Sequence, residues 1–236
     1  MTHIERTAVD LDVALRQWDG YVAALERHGW EIIELEATPD CPDGVFVEDT
    51  TVMFGDHALV CRPGAETRRP EVATTADMLR RLGHEITTIE GPATMDGGDV
   101  LKVDDVVYIG QSGRTDAAAI EQVRRAVEPL GRRVVAVPLT KVLHLKSAVT
   151  ALPDGTVIGY DPLVDDTGAF ADYASMPEEP GAHVVLLGGD DVLVSTSAPA
   201  SIERLERLGW NPVPVDMSEY EKLEGCVTCL SIRIRS

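Results

Sequence analysis

The sequence lacks any long uninterrupted hydrophobic run, although 44% of its 236 residues are hydrophobic. A membrane-spanning helix needs about 20 consecutive apolar residues, and no segment of this chain approaches that length. The first residues, Met1-Thr-His-Ile-Glu-Arg6, also lack the apolar stretch of a secretory signal peptide. The sequence therefore predicts a soluble, cytoplasmic protein that does not associate with a membrane.

Basic residues are also scarce. Lys and Arg together number 21 against 40 Asp and Glu, which gives a net charge of −19. A field of this sign repels nucleic-acid phosphates and anionic lipids, so we expect neither as a partner. Excess carboxylate attracts small cations, but acidic surfaces also increase solubility. Charge alone therefore does not identify the partner.

Cysteine is sparse, with four residues in the chain. Without a signal peptide they do not indicate a disulfide framework, and we expect reduced thiols. Cys226 and Cys229 form a C-x-x-C pair, but the chain continues as Leu-Ser-Ile-Arg-Ile, which argues against a thioredoxin-like site. Because Cys41 and Cys61 form no second close pair, we expect no structural zinc site. Two interpretations of Cys229 remain, a buried structural cysteine and a nucleophile.

Linkers and low-complexity segments are missing too. No Pro/Ser-rich stretch divides the chain, and segments such as Pro177-Glu-Glu-Pro180 are typical of surface loops. A chain of this length can bury one sizeable core or at most two small ones. The sequence therefore predicts a single domain over residues 1–236.

What the chain does contain is a repeated pattern in which a helical segment ends at glycine and a β-branched strand follows. The glycines that end these segments are Gly29, Gly83, Gly131 and Gly209, with a weaker copy at Gly181. The strands expected after the first and the weakest copy cover residues 30–35 and 182–187. Three of the spacings are close to about fifty residues, a period typical of propellers and arrays.

Polar segments and hairpins complete these units. Hairpin turns are predicted at Gly55-Asp56, at Asp104-Asp105 and around Asp154-Gly155. Each unit therefore reads strand, polar loop, hairpin and helix. If the units surround a pseudo-symmetry axis, polar residues from distant parts of the sequence meet near it, namely Glu48, Asp49, Asp96, His144 and Cys229.

The candidate for an acid/base partner of Cys229 is His144. A thiol that attacks an sp2 carbon needs a group that delivers a proton to the leaving amine, and histidine has a suitable pKa. His144 lies in Leu143-His-Leu-Lys-Ser147, where alternating apolar neighbours would equally suit a hydrogen-bonded core histidine. Sequence context alone leaves both interpretations open.

Carboxylates occur beside apolar residues in two segments, Pro42-Asp-Gly-Val-Phe-Val-Glu-Asp49 and Met95-Asp-Gly-Gly-Asp99. Burying such acids is costly unless a cation or hydrogen-bond donors accompany them. A planar guanidinium supplies both. The second segment could instead be a simple turn. Arg68 and Arg114 could bind a substrate carboxylate, or could be solvated surface residues.

Together these segments resemble the dimethylarginine dimethylaminohydrolase family, part of the guanidine-modifying superfamily. The resemblance spans nearly the whole chain. The segments that carry it, in order, are Pro42-Asp-Gly-Val-Phe-Val-Glu-Asp49, Arg62-Pro-Gly-Ala65, Arg68-Arg69, Met95-Asp-Gly-Gly-Asp99, Gly113-Arg-Thr115, Leu143-His-Leu-Lys-Ser147 and Thr228-Cys-Leu-Ser231. It implies an α/β fold, the five-bladed β/α-propeller (pentein) with pseudo-fivefold repeats. Relatives carry a strand and a lid loop before the segment that resembles Thr2–Arg6, so we expect an incomplete first blade.

The resemblance also implies roles for individual residues. Cys229 is expected to be the nucleophile, His144 the general acid/base, and Asp96 the carboxylate that orients the histidine and touches the guanidinium. The residues expected to bind the rest of the substrate are Asp43, Glu48 and Asp49 at the guanidinium, Arg68 and Arg114 at the carboxylate, and Leu223 and Glu224 at the α-amino group. No metal or organic cofactor is expected.

The activity that the resemblance implies is hydrolysis of a methylated arginine to citrulline through a covalent thiouronium on Cys229. An arginine or agmatine deiminase and an amidinotransferase are alternatives with related chemistry. A non-catalytic pentein-fold binding protein is the alternative outside enzymes. The expected partner is a small guanidinium amino acid, and the chain is expected to be a monomer or a homodimer.

Overall fold

A computed structural model of the chain describes residues 7–235. The segment Thr2–Arg6, on which the expectation of an incomplete first blade rests, lies outside these residues. The α-helices of the described part are α1 (Leu11–Arg27), α2 (Glu71–Arg81), α3 (Ala117–Val127), α4 (Pro199–Arg207) and α5 (Ser218–Glu221). No helix within residues 7–235 is both long and apolar enough to cross a membrane.

Twelve β-strands alternate with these helices in the described part of the chain. They are β1 (Thr51–Phe54), β2 (His57–Val60), β3 (Glu85–Thr88), β4 (Val100–Val103), β5 (Val106–Gln111), β6 (Arg133–Pro138), β7 (Val149–Ala151), β8 (Val157–Gly159), β9 (Tyr173–Ser175), β10 (Val184–Gly188), β11 (Asp191–Ser195) and β12 (Asn211–Val215).

The strands form four three-stranded sheets with one shared topology. In each sheet an antiparallel hairpin is followed by a crossover, and the third strand then pairs in parallel with the second hairpin strand. The crossover of three sheets is an α-helix, namely α2, α3 or α4. A crossover of this kind is what a parallel neighbour requires. The prediction of repeated strand, hairpin and helix units is confirmed for these three.

The predicted hairpin turns agree with the observed register. Phe54 pairs with His57 across the first turn, and Val103 pairs with Val106 across the second. In the second turn Asp104 adopts a φ of 49°, a left-handed conformation that Asp tolerates better than most residues. Short polar turns therefore fix the register of both hairpins.

The helix-ending glycines also behave as predicted. Gly29, Gly83, Gly131 and Gly209 have φ values of +82°, +89°, +73° and +93°. Glycine adopts this left-handed conformation without a Cβ penalty, so each one ends its helical segment and redirects the chain. At the other end, the side chains of Asp10 and Asp116 accept the N–H groups of Val13 and Ala119 and so cap α1 and α3.

One strand prediction is wrong, and a second is correct in position but wrong in its place within the repeat. Residues 30–35 form no strand in the structure. A strand needs a paired edge as well as β-branched residues, and the hairpin that precedes the helix in the other units has no counterpart between residue 7 and α1. The strand predicted over residues 182–187 exists as β10, but it is the first strand of a hairpin and does not follow a helix. The parallel strand of that unit is β9, reached through two 3-10 turns.

The chain divides into two compact units, described here separately. One comprises Glu34–Leu145 with Cys229–Ser236, and the other Met1–Ile33 with Lys146–Thr228. We call them the 34–145 unit and the 146–228 unit. The expectation that residues 1–236 form one domain stays a prediction.

Each unit has its own hydrophobic core. In the 34–145 unit, strand residues such as Leu59, Val107 and Ile109 pack with Val123 of α3. In the 146–228 unit, Ile158 and Val192 pack with Leu205 of α4, among others. Burying a side chain of this size contributes about 1.5–3 kcal/mol. These cores hold the hairpins whose preceding turns carry the polar residues considered next.

Candidate active site

Four of the candidate site residues lie in short turns just before the first strand of a hairpin. Glu48 and Asp49 belong to the 3-10 turn Val47–Thr50, which leads into β1. Asp96 precedes the turn Gly97–Asp99, which leads into β4. His144 precedes the turn Leu145–Ser147, which leads toward β7. The acidic residues and the histidine thus occupy equivalent positions in successive three-stranded repeats, as the repeat pattern predicted.

His144 and Asp96 form a buried hydrogen-bonded pair. The Nε2 atom of His144 lies 2.9 Å from Oδ2 of Asp96, and the two residues are 7% and 0% exposed. The other oxygen of Asp96 accepts the N–H of Gly64 at 2.9 Å, and Oδ2 also accepts Nη1 of Arg114 at 3.1 Å. Asp96 therefore holds the imidazole by a hydrogen bond and is itself held by two further donors; its catalytic role stays a prediction.

A second carboxylate faces the other imidazole nitrogen. Oδ1 of Asp49 lies 3.8 Å from Nδ1 of His144 and accepts the N–H of Gly98 at 2.9 Å. Oδ2 of Asp49 accepts Nη1 of Arg68 at 2.6 Å. Asp49 is 5% exposed. The imidazole is thus placed between two buried carboxylates, an arrangement that favours its protonated form.

Two glycines allow the turns to approach this closely. A Cβ atom on Gly98 would lie 2.6 Å from Oδ1 of Asp49 and 2.9 Å from Cγ of His144. A Cβ atom on Gly97 would overlap the carbonyl oxygen of Glu48. The Asp-Gly-Gly-Asp segment is therefore more than a turn, because the turns that bear Asp49 and Asp96 meet at its glycines.

Arg68 is buried and hydrogen-bonded within its own unit. Besides Asp49 it donates Nε and Nη2 to the carboxylate of Glu71, at 3.1 and 2.8 Å. Nη2 also donates to the carbonyl oxygens of Asp43 and Phe46. Its side chain is 6% exposed, whereas that of Arg114 is 19% exposed. Of the two arginines expected at the substrate carboxylate, Arg114 is therefore the more accessible.

These contacts shift the pKa values of the central groups. Burial disfavours the charge on His144, but the Asp49 carboxylate, the hydrogen bond to Asp96 and the charges of Asp99 and Asp96 outweigh it and raise the pKa to about 9. Burial would raise the pKa of Asp49, but His144 and Arg68 lower it well below its usual range. At neutral pH the site therefore holds an imidazolium beside ionised Asp49.

Asp99 is a further buried carboxylate at this site. It is fully buried, and burial raises its pKa to about 6, an effect partly offset by His144, Thr115 and the N–H of Leu145. Its Oδ1 accepts the N–H of Leu145 at 2.9 Å, and its Oδ2 accepts the hydroxyls of Ser112 and Thr115 at 3.0 and 2.6 Å. Asp99 thus accepts hydrogen bonds from the residue that follows His144 and from Ser112 and Thr115, which flank Arg114.

Cys229 belongs to the same unit as these residues. Its carbonyl oxygen accepts the N–H of Glu48 at 3.1 Å, and its side chain is partly buried. Glu48 also holds the following segment, because its Oε1 lies 2.8 Å from Nη2 of Arg233. Backbone and side chain of Glu48 together fix the C-terminal segment that carries Cys229 beside the turn that carries Asp49.

Leu223 and Glu224 lie in the 146–228 unit, directly after α5. The N–H groups of these residues donate to the carbonyls of Tyr220 and Glu221, and Glu224 has a left-handed φ of 63°. Leu223 is 38% exposed. Their expected contact with an α-amino group stays a prediction.

The described residues contain one set of side chains spaced for a cation, namely Asp49, Asp96 and His144, whose ligand atoms lie within 4.8 Å of one another. The carboxylate oxygens of this set already accept N–H groups of Gly64, Gly98, Arg68 and Arg114. This chemistry fits a hydrogen-bonded imidazolium better than a metal ion. That the site uses no metal stays a prediction.

Several residues of the site were not assigned from the sequence. Glu71, Ser112, Thr115 and Arg233 enter it through hydrogen bonds that join segments distant along the chain. Asp99 stood in a recognised motif but had no role. Ser112 and Thr115 flank Arg114, which was the one local signal that could have suggested them.

Comparison with known proteins places the chain among relatives. A family described as "N,N dimethylarginine dimethylhydrolase, eukaryotic" matches residues 4–151. The N(G),N(G)-dimethylarginine dimethylaminohydrolase of Streptomyces coelicolor is 58% identical over 235 residues, covering 100% of this chain and 91% of that protein. Its counterpart in Pseudomonas aeruginosa is 34% identical over 228 residues, covering 95% of this chain and 89% of that protein.

Solved structures agree with the sequence comparison. A Pseudomonas aeruginosa enzyme of this family, a cysteine-to-serine mutant complexed with citrulline, has a TM-score of 0.91 at 32% identity, covering 99% of this chain and 93% of that one. A histidine-to-glycine dimethylarginine dimethylaminohydrolase, solved as an adduct with S-methyl-L-thiocitrulline, has a TM-score of 0.91 at 31% identity and the same coverage. The chain has the α/β pentein fold of these proteins and belongs to the dimethylarginine dimethylaminohydrolase family.

Proposed function

We propose that this chain hydrolyses Nω,Nω-dimethyl-L-arginine to L-citrulline and dimethylamine, and monomethylarginine to citrulline and methylamine. The observation that carries the proposal is His144 held between the buried carboxylates of Asp49 and Asp96, in a chain 58% identical to a dimethylarginine dimethylaminohydrolase along its whole length. The proposed reaction uses protein side chains and water, without a metal or organic cofactor.

The site suits a cationic guanidinium. Asp49 and Asp96 are buried, and ionised acids in such surroundings require positive charge or hydrogen-bond donors. A guanidinium provides both in a planar arrangement that matches carboxylate geometry. Asp43, Glu48, Asp49 and Asp96 are the acids that we assign to this end of the substrate.

In the first half of the reaction, the Cys229 thiolate attacks the central guanidinium carbon and forms a C–S bond. The tetrahedral adduct then breaks the bond between this carbon and the substituted nitrogen. His144, protonated at neutral pH because of the carboxylates around it, delivers a proton to that nitrogen. Dimethylamine leaves, and an S-alkylthiouronium remains on Cys229.

In the second half, water attacks the thiouronium carbon. His144, neutral after giving up its proton, now takes one from the water and is protonated again. Cleavage of the C–S bond then returns Cys229 as the thiolate, and the hydroxyl of the adduct loses its proton to solvent, where the released amine takes it up, so that neutral citrulline is formed. Two solved relatives support this route, since one holds citrulline and the other an adduct of a thiocitrulline.

The amino-acid end of the substrate is assigned to a second group of residues. We assign Arg114 to the carboxylate because its side chain is more exposed than that of Arg68 and is hydrogen-bonded to Asp96. To bind the substrate carboxylate as well, Arg68 would have to give up one of the hydrogen bonds that it now donates to Asp49, Glu71 or a main-chain carbonyl. Leu223 and Glu224 are assigned to the α-amino group. We further propose a cytoplasmic location, a single catalytic domain and a monomeric or homodimeric state.

The test is a product assay on the purified full chain with asymmetric dimethylarginine, monomethylarginine, arginine and agmatine as separate substrates. Citrulline and dimethylamine formed in equal amounts, with Cys229→Ser inactive, is the expected result. Release of ammonia from arginine or agmatine in preference would instead assign the chain to the deiminases. Binding of dimethylarginine without turnover would favour a binding protein.

A further inference from the structure

Asp99 is a buried carboxylate to which the proposed reaction assigns no contact with the substrate. It is 0% exposed, as Asp96 is, but it is not among the acids that we assign to the substrate guanidinium. Yet its two oxygens accept hydrogen bonds from three groups, the N–H of Leu145 and the hydroxyls of Ser112 and Thr115. A buried carboxylate in this position requires an explanation because ionised acids are costly to bury.

The hydrogen bonds around Asp99 have a fixed direction. The Ser112 hydroxyl oxygen accepts the N–H groups of Arg114 and Thr115. The Thr115 hydroxyl oxygen accepts the N–H of Asp96. Since each oxygen is already an acceptor, each hydroxyl hydrogen is available to point at Asp99, which as a carboxylate only accepts. All three donors therefore need carboxylate oxygens as acceptors. Asparagine at this position would place an NH2 donor against at least one of them.

The donors of these hydrogen bonds are next to, or hydrogen-bonded to, three residues of the site, namely His144, Arg114 and Asp96. Leu145 follows His144 directly, Ser112 and Thr115 lie on either side of Arg114, and Thr115 holds the backbone of Asp96. Gly110 makes room for this arrangement, because a Cβ atom there would lie 2.5 Å from Oδ1 of Asp99. We propose that Asp99 is a positioning residue that holds the segments bearing His144, Arg114 and Asp96 in place from behind the reacting atoms.

This inference rests on the proposed function, because what Asp99 positions is the proton donor for the leaving amine. Misplacing His144 by a fraction of an ångström slows proton delivery far more than it disturbs folding. A leaving group that departs as a thiolate needs no such proton. If Asp99 positions His144, removing Asp99 should slow release of an amine more than release of a thiolate. A general loss of structure should slow both equally.

The experiment compares single-turnover release of dimethylamine from dimethylarginine with release of methanethiol from S-methyl-L-thiocitrulline, for the parent chain and for Asp99→Asn. We expect the first rate to fall at least about tenfold and the second to change less than about threefold. Equal losses in both rates, or no loss in either, would overturn the proposal. A parent chain that releases neither amine nor thiol would overturn the proposed function itself.

A second set of variants keeps the proposal testable if Asp99→Asn folds poorly. Thr115→Val keeps the shape of the side chain but removes the hydroxyl, and Thr115→Ser restores it. We expect Thr115→Val to slow dimethylamine release at least about fivefold, Thr115→Ser to recover most of the rate, and Thr115→Val to add little in the Asp99→Asn background. Full additivity of the two substitutions would contradict the proposal.

Glu178→Gln provides a matched control. Like Asp99, Glu178 accepts a main-chain N–H and a hydroxyl, in its case both from Ser201. Loss of these part-buried hydrogen bonds should lower the melting temperature by a few degrees and leave both single-turnover rates unchanged. A rate loss in Glu178→Gln equal to that in Asp99→Asn would assign the effect to stability and reject the positioning role.

Discussion

His144 is subject to two opposing effects that decide its protonation. Burial alone would make the imidazole neutral, while Asp49, Asp96 and Asp99 together make it a cation over most of the physiological range. A general acid for an amine leaving group must carry its proton when the substrate arrives. The acidic surroundings therefore serve two ends, because they attract the substrate cation and keep this proton in place.

The same shift predicts how stability depends on pH. Because the pKa of His144 rises from its ordinary value of 6.5 to about 9 on folding, its proton is bound more tightly in the folded chain. The resulting stabilisation, about 3 kcal/mol, is fully present below about pH 6.5 and is lost as the pH rises through about 9. Urea unfolding between pH 6 and pH 10 should show this loss in the parent and not in His144→Gln. Parallel curves for the two proteins would exclude the shift.

Arg68 offers a residue-scale test of the buried ion network. Its guanidinium joins Asp49 to Glu71 with little exposure, and lysine cannot reproduce that two-sided pattern. Arg68→Lys should lower the free energy of unfolding by about 2–4 kcal/mol, measured by urea titration. Arg80→Lys, which alters the exposed Arg80–Asp77 pair, should change it by less than about 0.5 kcal/mol. If Arg68→Lys raises KM and leaves stability intact, Arg68 is a substrate ligand and not part of a structural network.

Contacts between residues were predictable from the sequence where a motif carried them and not where they depend on distant hydrogen bonds. The resemblance assigned Asp96 to orient His144, and the two side chains are hydrogen-bonded in the structure. Their catalytic roles stay predictions. The resemblance did not show that Arg68 is enclosed by Asp49 and Glu71. Local sequence contains no information on which acceptors a buried arginine will meet.

At the scale of elements, the site depends on close contact between turns. The turn Val47–Thr50 approaches the turn Gly97–Asp99 at two adjacent glycines. The hairpins that follow hold both turns, so a small separation of the turns cannot be absorbed by loop movement. The spacing of the two carboxylates is therefore fixed by backbone contact and not by the side chains alone.

Gly98→Ala tests this contact. The added methyl group must displace Asp49 or His144, and we expect turnover of dimethylarginine to fall at least about tenfold as the reacting groups move apart. The control is Gly20→Ala in α1, where nothing lies within 4 Å of the new Cβ. That substitution should raise stability by about 0.5–1 kcal/mol and leave turnover unchanged. Full activity of Gly98→Ala would mean that the turns can separate without effect.

The elements themselves were largely predictable, because short-range signals determine them. Turn residues fixed two hairpins, and four glycines ended helical segments as expected. The failure at residues 30–35 has a physical cause, since a strand exists only when a partner edge pairs with it. The third strand β9 was missed because its crossover uses 3-10 turns in place of a helix, so the glycine signal was absent.

At the scale of the whole molecule, the net charge of −19 should assist capture of a cationic substrate. Raising the salt concentration from about 10 mM to about 0.5 M should lower kcat/KM for dimethylarginine about two- to tenfold, since screening shortens the reach of the field. Alkylation of Cys229 by neutral iodoacetamide is the matched control and should be insensitive to salt. Equal sensitivity of both reactions would point to a change in the protein and not to attraction of the substrate.

The central claim is that Cys229 forms a covalent thiouronium with the substrate. Its most direct test is intact-protein mass spectrometry of the full chain, quenched with acid during turnover of dimethylarginine, with the modified peptide sequenced. The predicted result is an adduct of substrate minus dimethylamine on Cys229, absent from Cys229→Ser, which also forms no citrulline. Citrulline formation by Cys229→Ser at the parental rate, without any adduct in the parent, would contradict the account.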